Sequence, residues 1–143
     1  MNKGEIKDIL IDLYNGAYGQ TLILIVNSKD NLFRFKNLFS DLSKGVIEEI
    51  SLFEKIEFKY SGFEDLILKS NPKRNIYSNK IYISSNVSKP IIIWSLSFDE
   101  WYTCEGLIDG LIEAKKPGHQ YLTNESDGIL IEFSYLEHDL SGN

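Results

Sequence analysis

The chain has 143 residues, 43% hydrophobic, 13% aromatic and 25% charged, with 15 Lys+Arg against 21 Asp+Glu and a net charge of -6. That length and apolar share support one domain, residues 1–143, with a buried core, and they exclude intrinsic disorder. The single cysteine, Cys104, excludes an internal disulfide framework and a cysteine-cluster zinc site, and the densest apolar patch, Ile91-Ile92-Ile93-Trp94, is too short to span a membrane.

Met1-Asn2-Lys3-Gly4-Glu5 lacks the positive and apolar blocks of a signal peptide, so a cytoplasmic domain is expected. Thr21–Val26 is a β-branched run that reads as a buried strand. Upstream, Ile9, Ile11 and Leu13 alternate, and Asn15-Gly16 is a turn signal because type I′ turns need positive φ at both central positions. Together they predict a hairpin, Glu5–Tyr14 with Ala17–Val26. Ser28 is placed to cap a helix whose first turn holds Asp30. Leu32, Phe35, Leu38, Phe39 and Leu42 follow at helical spacing, and Gly45 marks the end.

Residues 46–70 read as three strands, Val46–Phe53, Lys55–Tyr60 and Phe63–Lys69, and Asn71–Asn75 as a break rich in turn formers. Ile76–Ser84 and Pro90–Leu96 form a further pair, with Pro90 opening its strand where a missing N–H is harmless. The boundary at Ser97-Phe98-Asp99-Glu100 is a capping box, with Leu96 and Trp101 at the hydrophobic-staple positions. Phe98, Trp101, Cys104, Ile108, Leu111 and Ile112 make one buried stripe, and Lys115-Lys116-Pro117-Gly118 ends the helix. Gly118–Leu122 reads as a turn, Ile129, Ile131, Phe133 and Tyr135 alternate in a final strand, and the tail from Glu137 is expected to fray. The order of elements implies an α+β two-layer sandwich, its sheet mostly antiparallel, with two main helices at about 29–44 and 98–115.

The charge is unevenly placed. Residues 1–97 hold 13 basic and 11 acidic side chains, a net +2, whereas residues 98–143 hold two lysines against ten acids, a net -8. Such a segment repels nucleic acid phosphates and steers basic protein partners, or is simply a solvated acidic face.

No Gly-rich stretch meets a Lys-Ser or Lys-Thr pair, and His119 and His138 are 19 positions apart, so neither a phosphate loop nor a histidine metal pair is written here. No metal, cofactor or catalytic residue is therefore assigned. Cys104 lies on the buried stripe, where thiols are inert. The adjacent carboxylates Glu48-Glu49, Glu64-Asp65 and Asp99-Glu100 do not face each other across a cleft and read as surface or capping groups. His119 follows a helix C-terminus, where free carbonyls favour imidazolium. It reads either as a ligand contact or acid–base group, or as a structural hydrogen-bonder joining the helix end to the last strand. Tyr102 and Tyr121, next to acids, suit a protein-binding hot spot or ordinary packing at its rim.

From Ile91 to Glu137 the chain resembles small bacterial proteins of the immunity type, which neutralise secreted or contact-delivered toxins. The resemblance rests on Trp94-Ser95-Leu96-Ser97, on Glu100-Trp101 opening a helix, on Gly118-His119-Gln120-Tyr121-Leu122, and on the acidic closing strand Ile131-Glu132-Phe133-Ser134-Tyr135. It implies a non-catalytic role, binding a cognate toxin tightly and blocking its site; toxins of nuclease type are often basic, which suits an acidic 98–143 face as the docking surface. The residues expected to carry that contact are Asp99, Tyr102, Glu105, Asp109, Glu113, His119 and Tyr121. Two other functions are compatible with the sequence: a small-ligand protein or minor enzyme with a pocket around His119, and a structural homodimer.

Overall fold

The computed structural model describes residues 8–17, 19–72, 80–84, 89–123 and 128–140. The fold is α+β, and the described residues form two α-helices and nine strands in two mixed sheets. The strands are β1 (Ile9–Gly16), β2 (Gly19–Val26), β3 (Glu49–Ser51), β4 (Lys59–Ser61), β5 (Asp65–Asn71), β6 (Ile81–Ile83), β7 (Ile91–Ser97), β8 (Gly118–Tyr121) and β9 (Leu130–Tyr135). The helices are α1 (Lys29–Ser43) and α2 (Phe98–Ala114), matching the two expected at about 29–44 and 98–115. One sheet has the order β4-β1-β2-β9-β8 and the other β3-β5-β7-β6. Among the described residues four strand pairs are antiparallel and three parallel, namely β1–β4, β2–β9 and β5–β7.

Both helices form where their caps and stripes direct. Ser28 Oγ accepts the Asn31 N–H at 3.2 Å, and Leu32, Phe35, Leu38, Phe39 and Leu42 are buried. The α2 capping box is complete, with Glu100 Oε1 accepting the Ser97 N–H at 2.9 Å and Ser97 Oγ accepting the Glu100 N–H at 3.3 Å. The helices pack on each other and on both sheets. Phe35 meets Phe133 of β9 edge-on at 5.1 Å, and Phe39 meets Trp94 of β7 at 5.7 Å and stacks on Trp101 of α2 at 5.4 Å. Trp101 also donates its indole N–H to the Lys69 carbonyl of β5 at 2.9 Å, so one core joins both helices and both sheets.

Several boundaries differ from the expectation. Pairing of β1 with β2 continues to Gly16↔Gly19, so Asn15-Gly16 closes a strand and the bend follows it. Gly19, which opens β2, has a positive φ of 99°, and Tyr18 lies outside the described residues. Glu5–Lys7 of the expected hairpin lie outside the described residues, as do Ile76–Asn79. Val46–Phe53 contracts to β3 because a 3-10 turn at Leu52–Glu54 accepts the Lys55 and Ile56 N–H groups at the Leu52 carbonyl, 3.0 and 3.1 Å away. That turn consumes the start of the expected Lys55–Tyr60 strand and leaves β4. Gly118–Tyr121 is a strand, its register against β9 running from Gly118↔Tyr135 to Tyr121↔Glu132. The tail is tied rather than frayed up to His138: Asn27 Nδ2 donates to the His138 carbonyl at 2.7 Å, and the Leu136 N–H donates to Asn27 Oδ1 at 3.2 Å.

β2 lies between β1 and β9 and is buried on both faces, which accounts for its unbroken apolar run. Leu22, Leu24 and Val26 enter the core, while Thr21, Ile23 and Ile25 lie on the opposite face with Asp12, Tyr14 and Glu132.

Candidate functional site

The acidic residues of α2 follow from its helical phase. With Trp101, Cys104, Ile108, Leu111 and Ile112 buried, Asp99, Tyr102, Glu105, Asp109 and Glu113 fall in one band on another flank. At the helical rise this band runs about 21 Å from Asp99 to Glu113. Tyr102 is 69% exposed near its beginning. Asp109 accepts a hydrogen bond from Lys36 Nζ of α1 at 2.9 Å. That bond holds the Lys36 ammonium above its ordinary range against the opposing effect of desolvation, with the charges of Asp109, Glu105 and Glu113 adding to it. Thus several acids of α2 bear on one lysine. Phe33, exposed on α1, lies 6.0 Å from the same ammonium.

His119 and Tyr121 face elsewhere. The β8 residues between and before them turn towards α2: a Cβ at Gly118 would sit 3.4 Å from Leu111 Cδ2, and Gln120 Nε2 lies 4.0 Å from the corresponding position at Gly110. Alternation in the strand therefore puts His119 and Tyr121 on the other side of the sheet, with Glu132 and Ser134 of β9. There His119 Nδ1 is 3.0 Å from Glu137 Oε1 and 3.2 Å from Oε2. The Ser134 hydroxyl donates to Glu137 Oε1 at 3.3 Å, and the Tyr121 ring meets the imidazole edge-on at 5.5 Å. One ligand atom each from His119, Glu132 and Glu137 lies within 4.8 Å of the others. Tyr14 belongs to the same locality: burial raises its phenol, and the charges of Glu132 and Asp12 raise it further.

The seven residues expected to act together are therefore divided. Five line the α2 flank, and His119 and Tyr121 join a carboxylate cluster across β8. The partner of the His119 ring is a carboxylate rather than the carbonyls at the end of α2. Lys36, Glu132 and Glu137 were not singled out from sequence. Lys36 is one of two lysines on α1 and nothing in the sequence brings it to α2, and Glu137 draws its position from the chain reversal at Leu136, where φ is 62°.

Cys104 is 2% exposed, and burial pushes its thiol up to about 12. An open concavity of about 250 Å³ lined by Arg34, Asn37, Leu38, Asp41, Lys55 and Ile56 shares no residue with either group. Among the described residues no helix is long and apolar enough to cross a membrane. No protein-family model, curated protein or solved structure matches the chain.

Proposed function

We propose that this chain is a non-catalytic binding protein of the immunity type, which captures a basic toxin domain on the acidic flank of α2. The observation that carries the reading is the band Asp99, Glu105, Asp109 and Glu113 around the exposed ring of Tyr102. Negative charges spaced along one helix raise the local concentration of a cationic partner and speed its encounter. An exposed tyrosine supplies the large apolar contact area that such encounters need in order to persist. Lys36, held by Asp109, neutralises part of the band, and a partner lysine or arginine competes with it for the same carboxylate.

Association kinetics with the protein encoded by the neighbouring upstream reading frame test this proposal. The on-rate is expected to fall about tenfold or more between low and high salt, because the interaction is screened within about 10 Å at 0.1 M. The double reversal E105K/D109K lowers the on-rate, and Y102A accelerates dissociation. A partner that proves acidic, or an on-rate insensitive to salt and to E105K/D109K, refutes the proposal. A small-ligand role at His119 has one observation in its favour, the convergence of that imidazole with Glu132 and Glu137.

A further inference from the structure

We propose that His119, Glu132 and Glu137 form a binding site for a divalent transition-metal ion, with Zn²⁺ as the probe. The donor set is one imidazole nitrogen and two carboxylates, a mixture that suits borderline ions rather than the all-oxygen shells preferred by Mg²⁺ and Ca²⁺. The imidazole is what separates this group from an ordinary acidic patch. With bonds of about 2.0–2.2 Å, ligands that neighbour each other around tetrahedral zinc lie about 3.3 Å apart. His119 Nδ1 is already 3.0 and 3.2 Å from the two Glu137 oxygens, so that edge exists before any ion enters. With the ligand atoms within 4.8 Å of one another, closing the remaining edges needs a shift of about 1.5 Å at most, within reach of the torsions of a Glu side chain. Three protein ligands leave the fourth position to water or a further donor.

The framework holds these groups in place. His119 and Glu132 stand on paired antiparallel strands, diagonal to each other on one face, two residues apart in register. Glu137 follows the left-handed Leu136, whose N–H is bound by Asn27, and its carboxylate is oriented by the Ser134 hydroxyl. That hydroxyl is completely buried and acts on a ligand from outside the coordination shell, the usual place of groups that tune metal affinity. Among the described residues the ion pair shown at this group is that of the His119 imidazole with Glu137, and no lysine or arginine is paired with Glu132 or Glu137. A divalent cation supplies the missing positive charge. Because protons compete for the same donors, uptake weakens as the solution is acidified.

Calorimetric titration of ZnCl₂ into the untagged full chain tests the site. One equivalent is expected to bind saturably and to raise the melting temperature. H119A, E132Q and E137Q each weaken binding by at least the ten- to hundredfold that an outer partner of a metal ligand supplies, about 10–100-fold. S134A weakens it less, and H138A and E113Q leave it unchanged. His119 and Glu137 are exposed and Glu132 is half-buried, and melting curves without metal confirm that each variant is folded. Absence of saturable uptake at millimolar Zn²⁺ overturns the proposal. So does uptake that H119A and E137Q leave within twofold of the wild type.

Discussion

Replacing Glu100 tests how the first turn of α2 is anchored. One carboxylate oxygen accepts the Ser97 N–H, and the other lies 2.7 Å from Lys80 Nζ, with the lysine and glutamate side chains only 18% and 21% exposed. Loss of a capping contact costs about 1 kcal/mol, and loss of a hydrogen bond to a charged group about 1.5–3 kcal/mol. E100A is therefore expected to destabilise the fold by about 2–4 kcal/mol, E100Q by the ion-pair share alone and S97A by about 1 kcal/mol. Burial raises the Glu100 carboxyl, but the bonds from Lys80 and Ser97 outweigh it and hold the group below the ordinary carboxylate range. A folded value below the unfolded one gives stability that is complete above the unfolded value and is lost as pH falls through the folded value. The gap between wild type and E100Q should accordingly shrink as the solution is acidified below 4.5. Urea unfolding followed by circular dichroism measures these differences as shifts in midpoint at constant slope. An E100A loss smaller than that of S97A, or an E100Q gap that ignores acidification, refutes the reasoning.

Three further outcomes follow from local geometry. Cys104, buried and with its thiol held up near 12, should resist a disulfide reagent at mildly alkaline pH and react in full once denaturant unfolds the chain. G106A should stabilise the protein by about 0.5–1 kcal/mol, since an added Cβ on that exposed helix face meets nothing and alanine restricts the unfolded chain; a lowered melting temperature would contradict this. Gly62, at φ 90°, is the opposite case: a Cβ there drives into the Leu13 carbonyl oxygen, and G62A should lose more than the about 1–3 kcal/mol that an unfavourable backbone conformation alone costs.

What the sequence made legible was local. Ser28, the stripe from Leu32 to Leu42, and the Ser97–Glu100 box each lie within a turn or two of what they specify, and both helices form there. Strand partners are not local. Nothing near Leu66 says that it will lie parallel to Ile92, and nothing near Leu22 names Ile131, so the division into two sheets and the three parallel pairs come only from the structure. The same limit applied to the site. The acids of α2 are spaced by one helix and could be gathered from sequence. His119 looked like part of a turn because Gly118 and a preceding proline suggest one, whereas pairing with β9 makes it a strand residue and turns its ring away from α2. Glu137 could not be assigned to it without the reversal at Leu136.

The placing of β9 between β2 and β8 has a consequence for how the chain is made. The hairpin of β1 and β2 is complete within the first 26 residues, yet the free edge of β2 is meant for residues 130–135. At ordinary elongation speeds roughly a hundred residues separate the two, about 5–20 s of synthesis. Throughout that interval Thr21-Leu22-Ile23-Leu24-Ile25-Val26 offers an uncharged, β-prone, unpaired edge, the kind of segment that joins to its neighbours in other chains. Until residues 130–135 are made, that edge of β2 has no native partner within the chain, and order of synthesis rather than the finished surface sets how long it stays open.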